Sequence, residues 1–133
     1  MKFHEKLKTL RKENELSQER LAKMAKISKR SLILYEQGTN YPRDRDVYNR
    51  LAECLGVDTN YLMTEDEEFI LDARKKYGYR GAKQAQELVE ELTGLFAGGE
   101  LEEEDMDILA NAIQEAYWIA KLNNKKYTPN KYL

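Results

Sequence analysis

Residues 17–38 contain two short amphipathic segments with almost no sequence between them, and this spacing constrains the fold more than any other feature. Ser17 and Ser28 can each cap a helix, because a serine hydroxyl accepts a hydrogen bond from an unpaired N–H of the first turn. Gly38 can adopt the left-handed conformation that ends the second helix. Helices joined this closely must cross at a steep angle, so a small residue is needed at the crossing. Ala22 is the candidate for that contact.

Further spaced positions accompany these two segments on both sides. The full set is Leu16, Ser17, Gln18, Glu19, Arg20, Leu21, Ala22, Ile27, Ser28, Leu32, Tyr35, Glu36, Gly38, Pro42, Leu51, Ala52, Leu55, Gly56, Val57, Tyr61 and Leu62. The pattern resembles helix-turn-helix regulators of the Cro and phage-repressor type, the XRE family, over roughly residues 3–63. The resemblance implies an all-α domain of five helices at 1–63, in which the helix at 28–37 enters the major groove of DNA.

The resemblance also indicates which residues meet DNA. Gln18 opens the first helix of the motif and would contact the DNA backbone, while Lys29 and Arg30 lie on the first turn of the recognition helix. An Arg or Lys there can pair with guanine O6 and N7, which contributes about 1–3 kcal/mol of discrimination per contact. The loop after this helix would follow the phosphate backbone, with Tyr41 and Arg45 as weaker candidates. The candidate DNA-binding residues are Gln18, Lys26, Ser28, Lys29, Arg30, Ser31, Leu34, Asn40 and Arg43.

Two of these positions depart from the family pattern. Relatives often carry glycine where this chain has Lys26, and a lysine with positive φ carries strain on the order of 1 kcal/mol. Relatives often place a polar residue near the position of Leu34. The apolar Leu34 side chain could instead contact a thymine methyl group or pack against protein. The bland alternatives are that Lys29 and Arg30 are solvated charges and that Gln18 is a simple first-turn residue.

Charge is distributed unevenly along the chain. Residues 1–62 carry 13 Lys and Arg against 9 Asp and Glu, a net +4, whereas residues 63–133 carry 9 against 15, a net −6. A basic N-terminal half suits binding to phosphates by counterion release. The acidic half should point away from DNA.

The resemblance also predicts an ion pair inside the domain. The family places an Arg of the first helix against the Glu of the recognition helix, which predicts an Arg11–Glu36 ion pair.

The C-terminal half, 64–133, is predicted to be helical. Thr64 and Glu67 form a capping-box pattern, and the segment 77–81 should interrupt the helix that follows. Two later amphipathic helices, about 81–96 and about 102–125, should form a hairpin through Gly98 and Gly99. A two-helix hairpin has little core of its own, so we expect 64–133 to form a homodimer. The tail at 123–133 could dock, fray or touch DNA.

These features predict a transcriptional regulator that binds double-stranded DNA sequence-specifically. We expect it to be a homodimeric repressor that reads a palindromic operator. The alternative is an antitoxin-type DNA-binding protein whose C-terminal helices bind another protein. No catalytic motif is recognisable, and one His and one Cys leave few nucleophile–base pairs or metal sites. We therefore expect no enzyme activity, no cofactor and no metal. The absence of a long apolar run or signal segment predicts a cytoplasmic protein.

Overall fold

Within residues 1–96 and 103–127, which the computed structural model describes, the chain forms seven α-helices and no strand. The all-α class expected from the sequence is therefore confirmed. The helices are α1 (Phe3–Glu13), α2 (Gln18–Met24), α3 (Lys29–Glu36), α4 (Arg45–Leu55), α5 (Thr59–Leu62), α6 (Glu65–Phe96) and α7 (Glu103–Tyr127).

Short polar caps set the ends of α2 and α3, as predicted. The Ser17 hydroxyl accepts from the backbone N–H of Arg20, and the Ser28 hydroxyl accepts from that of Ser31, both at 3.0 Å. Gly38, one residue after the C-cap of α3, has φ +78°. Each helix therefore begins and ends through bonds made within a few residues of the same segment.

The first five helices enclose one apolar core. Phe3 of α1 lies at its aromatic centre, with ring centroids 5.2 Å from Tyr48, 5.9 Å from Tyr41 and 6.5 Å from Tyr35. Such pairs contribute about 0.5–1.5 kcal/mol beyond the burial of their area. Leu7, Leu21, Leu32, Leu51 and Leu62 are fully buried around them. The packing of α2 on α3 is thus supported by α1, α4 and α5, which contribute to the same core.

Helix α6 continues the first compact unit, which spans Met1–Gln86. Its Leu71 joins the core of the five helices, and Phe69 and Ile70 are also buried. The interruption predicted for 77–81 is confined to Gly78, which has φ +71° and ψ −156°, a region essentially restricted to glycine. The chain therefore bends once and resumes its helix immediately.

The second compact unit, Glu87–Leu133, contains the end of α6 and all of α7. Val89, Leu92 and Gln114 are buried, whereas Ile108 and Leu109 of α7 are 68% and 40% exposed. The predicted hairpin loop at Gly98 and Gly99, and the end of the tail at 128–133, lie outside the described residues. The division of function at residue 63 stays a prediction, although the packing of the first unit extends to Gln86.

Glu67 is the one carboxylate of the capping box that is removed from water. Its side chain accepts from the Thr64 hydroxyl at 2.8 Å, and the residue is only 4% exposed. Burial, with a smaller contribution from Asp66, raises the pKa of the Glu67 carboxyl, against the opposing effects of the Thr64 hydrogen bond and of Lys6. Burial thus disfavours the charged carboxylate at this position relative to a glutamate in water.

We expect Glu67→Gln to stabilise the protein at neutral pH and to reduce the dependence of its stability on pH. Because the folded-state pKa lies above the ordinary value of 4.5, the folded protein binds more protons in the window above that value. The free energy of unfolding therefore falls as pH rises through this window, and glutamine has no charge to lose. Urea unfolding at several pH values tests this, with the exposed Glu65→Gln as the control. Identical pH profiles for wild type and Glu67→Gln would contradict it.

Candidate nucleic-acid interface

The turn between α2 and α3 is held by a side chain from α4. Lys26 has φ +57°, so the left-handed conformation predicted for this position is confirmed. Arg50 Nη1 donates to the carbonyl oxygens of Ala25 and Lys26, each at 3.0 Å. Arg50 Nε lies 3.1 Å from Asp46 Oδ2, one helical turn away. The guanidinium thereby offsets the cost of a strained lysine in the turn.

Sequence reasoning missed Arg50. The only local signal was its spacing of four residues from Asp46, which is typical of ion pairs on any exposed helix. The carbonyls it binds lie 24 and 25 residues earlier in the chain, so its role depends on the tertiary fold.

Lys29 and Arg30 lie together on the first turn of α3, and both are exposed. Neither makes an ion pair or hydrogen bond with any of the residues that the structure describes. Leu34, one turn later, is half-buried. The start of α3 therefore presents two unneutralised cations to solvent, followed by a partly covered apolar side chain.

Ser28 and Ser31 are engaged with one another. Ser28 Oγ donates to Ser31 Oγ at 2.8 Å while it accepts the Ser31 N–H. Ser28 is exposed and Ser31 is half-buried. The structure thus assigns both serines to the cap of α3, and a contact of either with DNA stays a prediction.

A buried ion pair joins α1 to α3, as predicted. Arg11 Nε donates to Glu36 Oε2 at 2.7 Å and its Nη2 donates to Oε1 at 3.0 Å. The two side chains are 12% and 3% exposed. Gln18 Nε2 donates to Glu36 Oε1 at 3.2 Å. One amide hydrogen of Gln18 is used in this contact, which leaves the second available for a phosphate.

The loop after α3 is anchored at its start and in its middle. The backbone N–H groups of Thr39 and Asn40 donate to the Leu34 carbonyl at 3.1 and 3.3 Å, and Pro42 is fully buried. The side chains of Asn40 and Arg43 are exposed between these anchors. This geometry suits contacts with the DNA backbone, because the anchored loop holds these polar side chains out into solvent.

The two weaker loop candidates are already engaged. Arg45 pairs with Glu68 of α6 at 3.0 Å, so its charge is partly neutralised. Tyr41 is half-buried and stacks on Phe3. Both observations favour Asn40 and Arg43 over these residues as partners for phosphate.

Other kinds of site find little support in the described ranges. No group of three or more His, Cys, Asp or Glu side chains comes together there to hold a metal ion. Cys54 is half-buried, and burial raises the pKa of its thiol, which disfavours the reactive thiolate. No described helix is long and apolar enough to cross a membrane.

Comparison with known proteins agrees with this geometry. A family model for a helix-turn-helix domain matches residues 4–68. The chain is also 28% identical to the immunity repressor protein of Bacillus phage phi105, in an alignment covering 99% of this chain and 96% of that protein. No solved structure matches significantly. The family is a non-enzymatic class of DNA-binding regulators. With the two capped helices, the clamped turn and the exposed cations of α3, these matches identify the protein as an XRE-type helix-turn-helix DNA-binding regulator.

Proposed function

We propose that this protein is a transcriptional repressor that binds a palindromic operator as a homodimer and reads it with α3. The observation that carries the proposal is the pair Lys29 and Arg30, both exposed and without an ion pair to the described residues, on the turn that would meet base edges. Arginine at such a position can bind guanine with two hydrogen bonds, and lysine contacts the same acceptors. Gln18, Asn40 and Arg43 would hold the domain in register on the phosphates.

The relative from phage phi105 supports the repressor role, because its printed name is immunity repressor protein and the alignment extends over nearly the whole of both chains. Because the alignment covers 99% of this chain, the matched region includes the C-terminal half as well as the DNA-binding domain. A repressor needs only to occupy its operator, so the proposed role requires no catalytic site.

Helix α7 supports the homodimer. Ile108 is 68% exposed and Leu109 is 40% exposed, adjacent on a helix that lies wholly in the second compact unit. Covering apolar side chains of this size with another protein surface is favourable, because it removes apolar area from water. Two-fold dimers are the commonest oligomers, and paired domains of this class read half-sites about one helical turn apart.

Two measurements on the full chain test the proposal. Selection from a random pool of double-stranded DNA should enrich a two-fold symmetric site, and light scattering should give the mass of a dimer at tens of micromolar. A monomer that enriches no sequence would overturn the proposal. If the protein binds DNA but co-purifies from cells with a small partner protein, the antitoxin alternative would be favoured instead.

A further inference from the structure

A cleft of about 400 Å³ lies in the first compact unit beside the loop that follows α3. The loop contributes Asn40 and Arg43 to its lining, and α6 contributes Arg74, Tyr79 and Lys83. Its volume falls in the range of small-ligand sites. The cleft therefore joins a candidate DNA-contacting loop to a helix outside the helix-turn-helix.

The two sides of the cleft are held together. Gln86 of α6 donates through Nε2 to the carbonyl oxygen of Thr39 at 3.2 Å. The bend at Gly78 precedes the residues of α6 that complete the lining. Gly81 lies just after this bend and has no room for a side chain, because a Cβ there would lie 2.4 Å from Tyr77 Cβ.

The cleft is positively charged. Arg43, Arg74 and Lys83 line it, against the single carboxylate of Asp44 among the lining residues. Asp44 is occupied as the cap of α4, where its side chain accepts the N–H of Val47 at 3.1 Å. None of the three cations forms an ion pair within the described part of the chain. The Arg74 guanidinium lies 6.0 Å from the centre of the Tyr79 ring, which limits its freedom.

We propose that this cleft binds a phosphate group through Arg43, Arg74 and Lys83. Guanidinium groups match the tetrahedral oxygens of phosphate with paired hydrogen bonds, and lysine adds a point charge. The favoured source is a backbone phosphate of bound DNA, because Arg43 and Asn40 belong to the loop that the proposed function brings near DNA. That source rests on the proposed function, whereas a free phosphate would require only the cleft.

The test compares two double variants that remove the same charge from α6. Arg74→Gln/Lys83→Gln alters the cleft, and Lys75→Gln/Arg80→Gln alters exposed cations that do not line it. Binding to the selected DNA is measured by fluorescence anisotropy over a range of salt concentrations. Each lost phosphate contact lowers the slope of log K against log salt by about 0.9, so the cleft variant, which loses one phosphate, should lose about 1 from this slope. The control should keep the wild-type slope, and both should keep the sequence preference.

A second arm titrates inorganic phosphate into each protein without DNA and follows the backbone amide signals of Asn40 and Lys83 by NMR. An unchanged DNA slope together with phosphate-induced shifts that vanish in the cleft variant would identify a free phosphate as the source. An unchanged slope with no such shifts would overturn the proposal. If wild type bound no DNA but its cleft signals shifted with phosphate, the proposed function would fail and the cleft would stand.

Discussion

Arg11→Ala is expected to lower the free energy of unfolding by about 3–5 kcal/mol, the usual effect of removing one partner of a buried ion pair. The substitution removes both guanidinium bonds to Glu36 and the 2.9 Å bond from Arg11 Nη1 to the Leu16 carbonyl. The Glu36 side chain, 3% exposed, would keep only the Gln18 amide as a donor among these bonds. In a unit of this size we expect the melting temperature to fall by at least about 10 °C.

Two further variants separate the orphaned charge from a general loss of packing. Lys12→Ala removes an exposed cation from the same helix and should change stability by no more than about 0.5 kcal/mol. Arg11→Met/Glu36→Leu removes the carboxylate as well, so it should lose less stability than Arg11→Ala. A melting temperature unaffected by Arg11→Ala would show that the pair does not stabilise the fold.

Lys29→Ala/Arg30→Ala is expected to abolish sequence preference while leaving weak, salt-sensitive binding. Two base contacts worth about 1–3 kcal/mol each correspond to a loss of at least about 30-fold in affinity for the selected site. The fold should be unaffected, because both side chains are exposed and unpaired within the described residues. Removing two cations from the first turn of α3 is, if anything, favourable to the helix dipole.

Fluorescence anisotropy on the selected site and on a scrambled duplex measures the effect, with Lys8→Ala/Lys12→Ala as the charge-matched control on α1. The control should keep its preference for the selected site. If the Lys29/Arg30 variant retained both the wild-type ratio and the wild-type affinities for the two duplexes, neither residue would contact DNA. An unchanged ratio combined with weaker binding to both would make these residues phosphate contacts.

Local signals predicted the elements of the first unit well. Ser17, Ser28 and Gly38 each act through bonds within their own segment, so their roles follow from a few adjacent residues. The left-handed turn at Lys26 and the Arg11–Glu36 pair were expected from the family resemblance, and both are present. The DNA contacts themselves stay predictions, because contact with bases depends on how the domain docks.

The sequence by itself determined the all-α class, the caps of α2 and α3 and the exposed cations at the start of α3, since these depend on helical period and first-turn bonding. Only the tertiary structure decided how the turn is held and where the cleft beside the loop after α3 lies. Arg50 reaches carbonyls 24 and 25 residues away, and Gln86 reaches a carbonyl 47 residues away. Contacts between residues so distant in the chain leave no periodic trace in the sequence, because they depend on how separately formed helices pack.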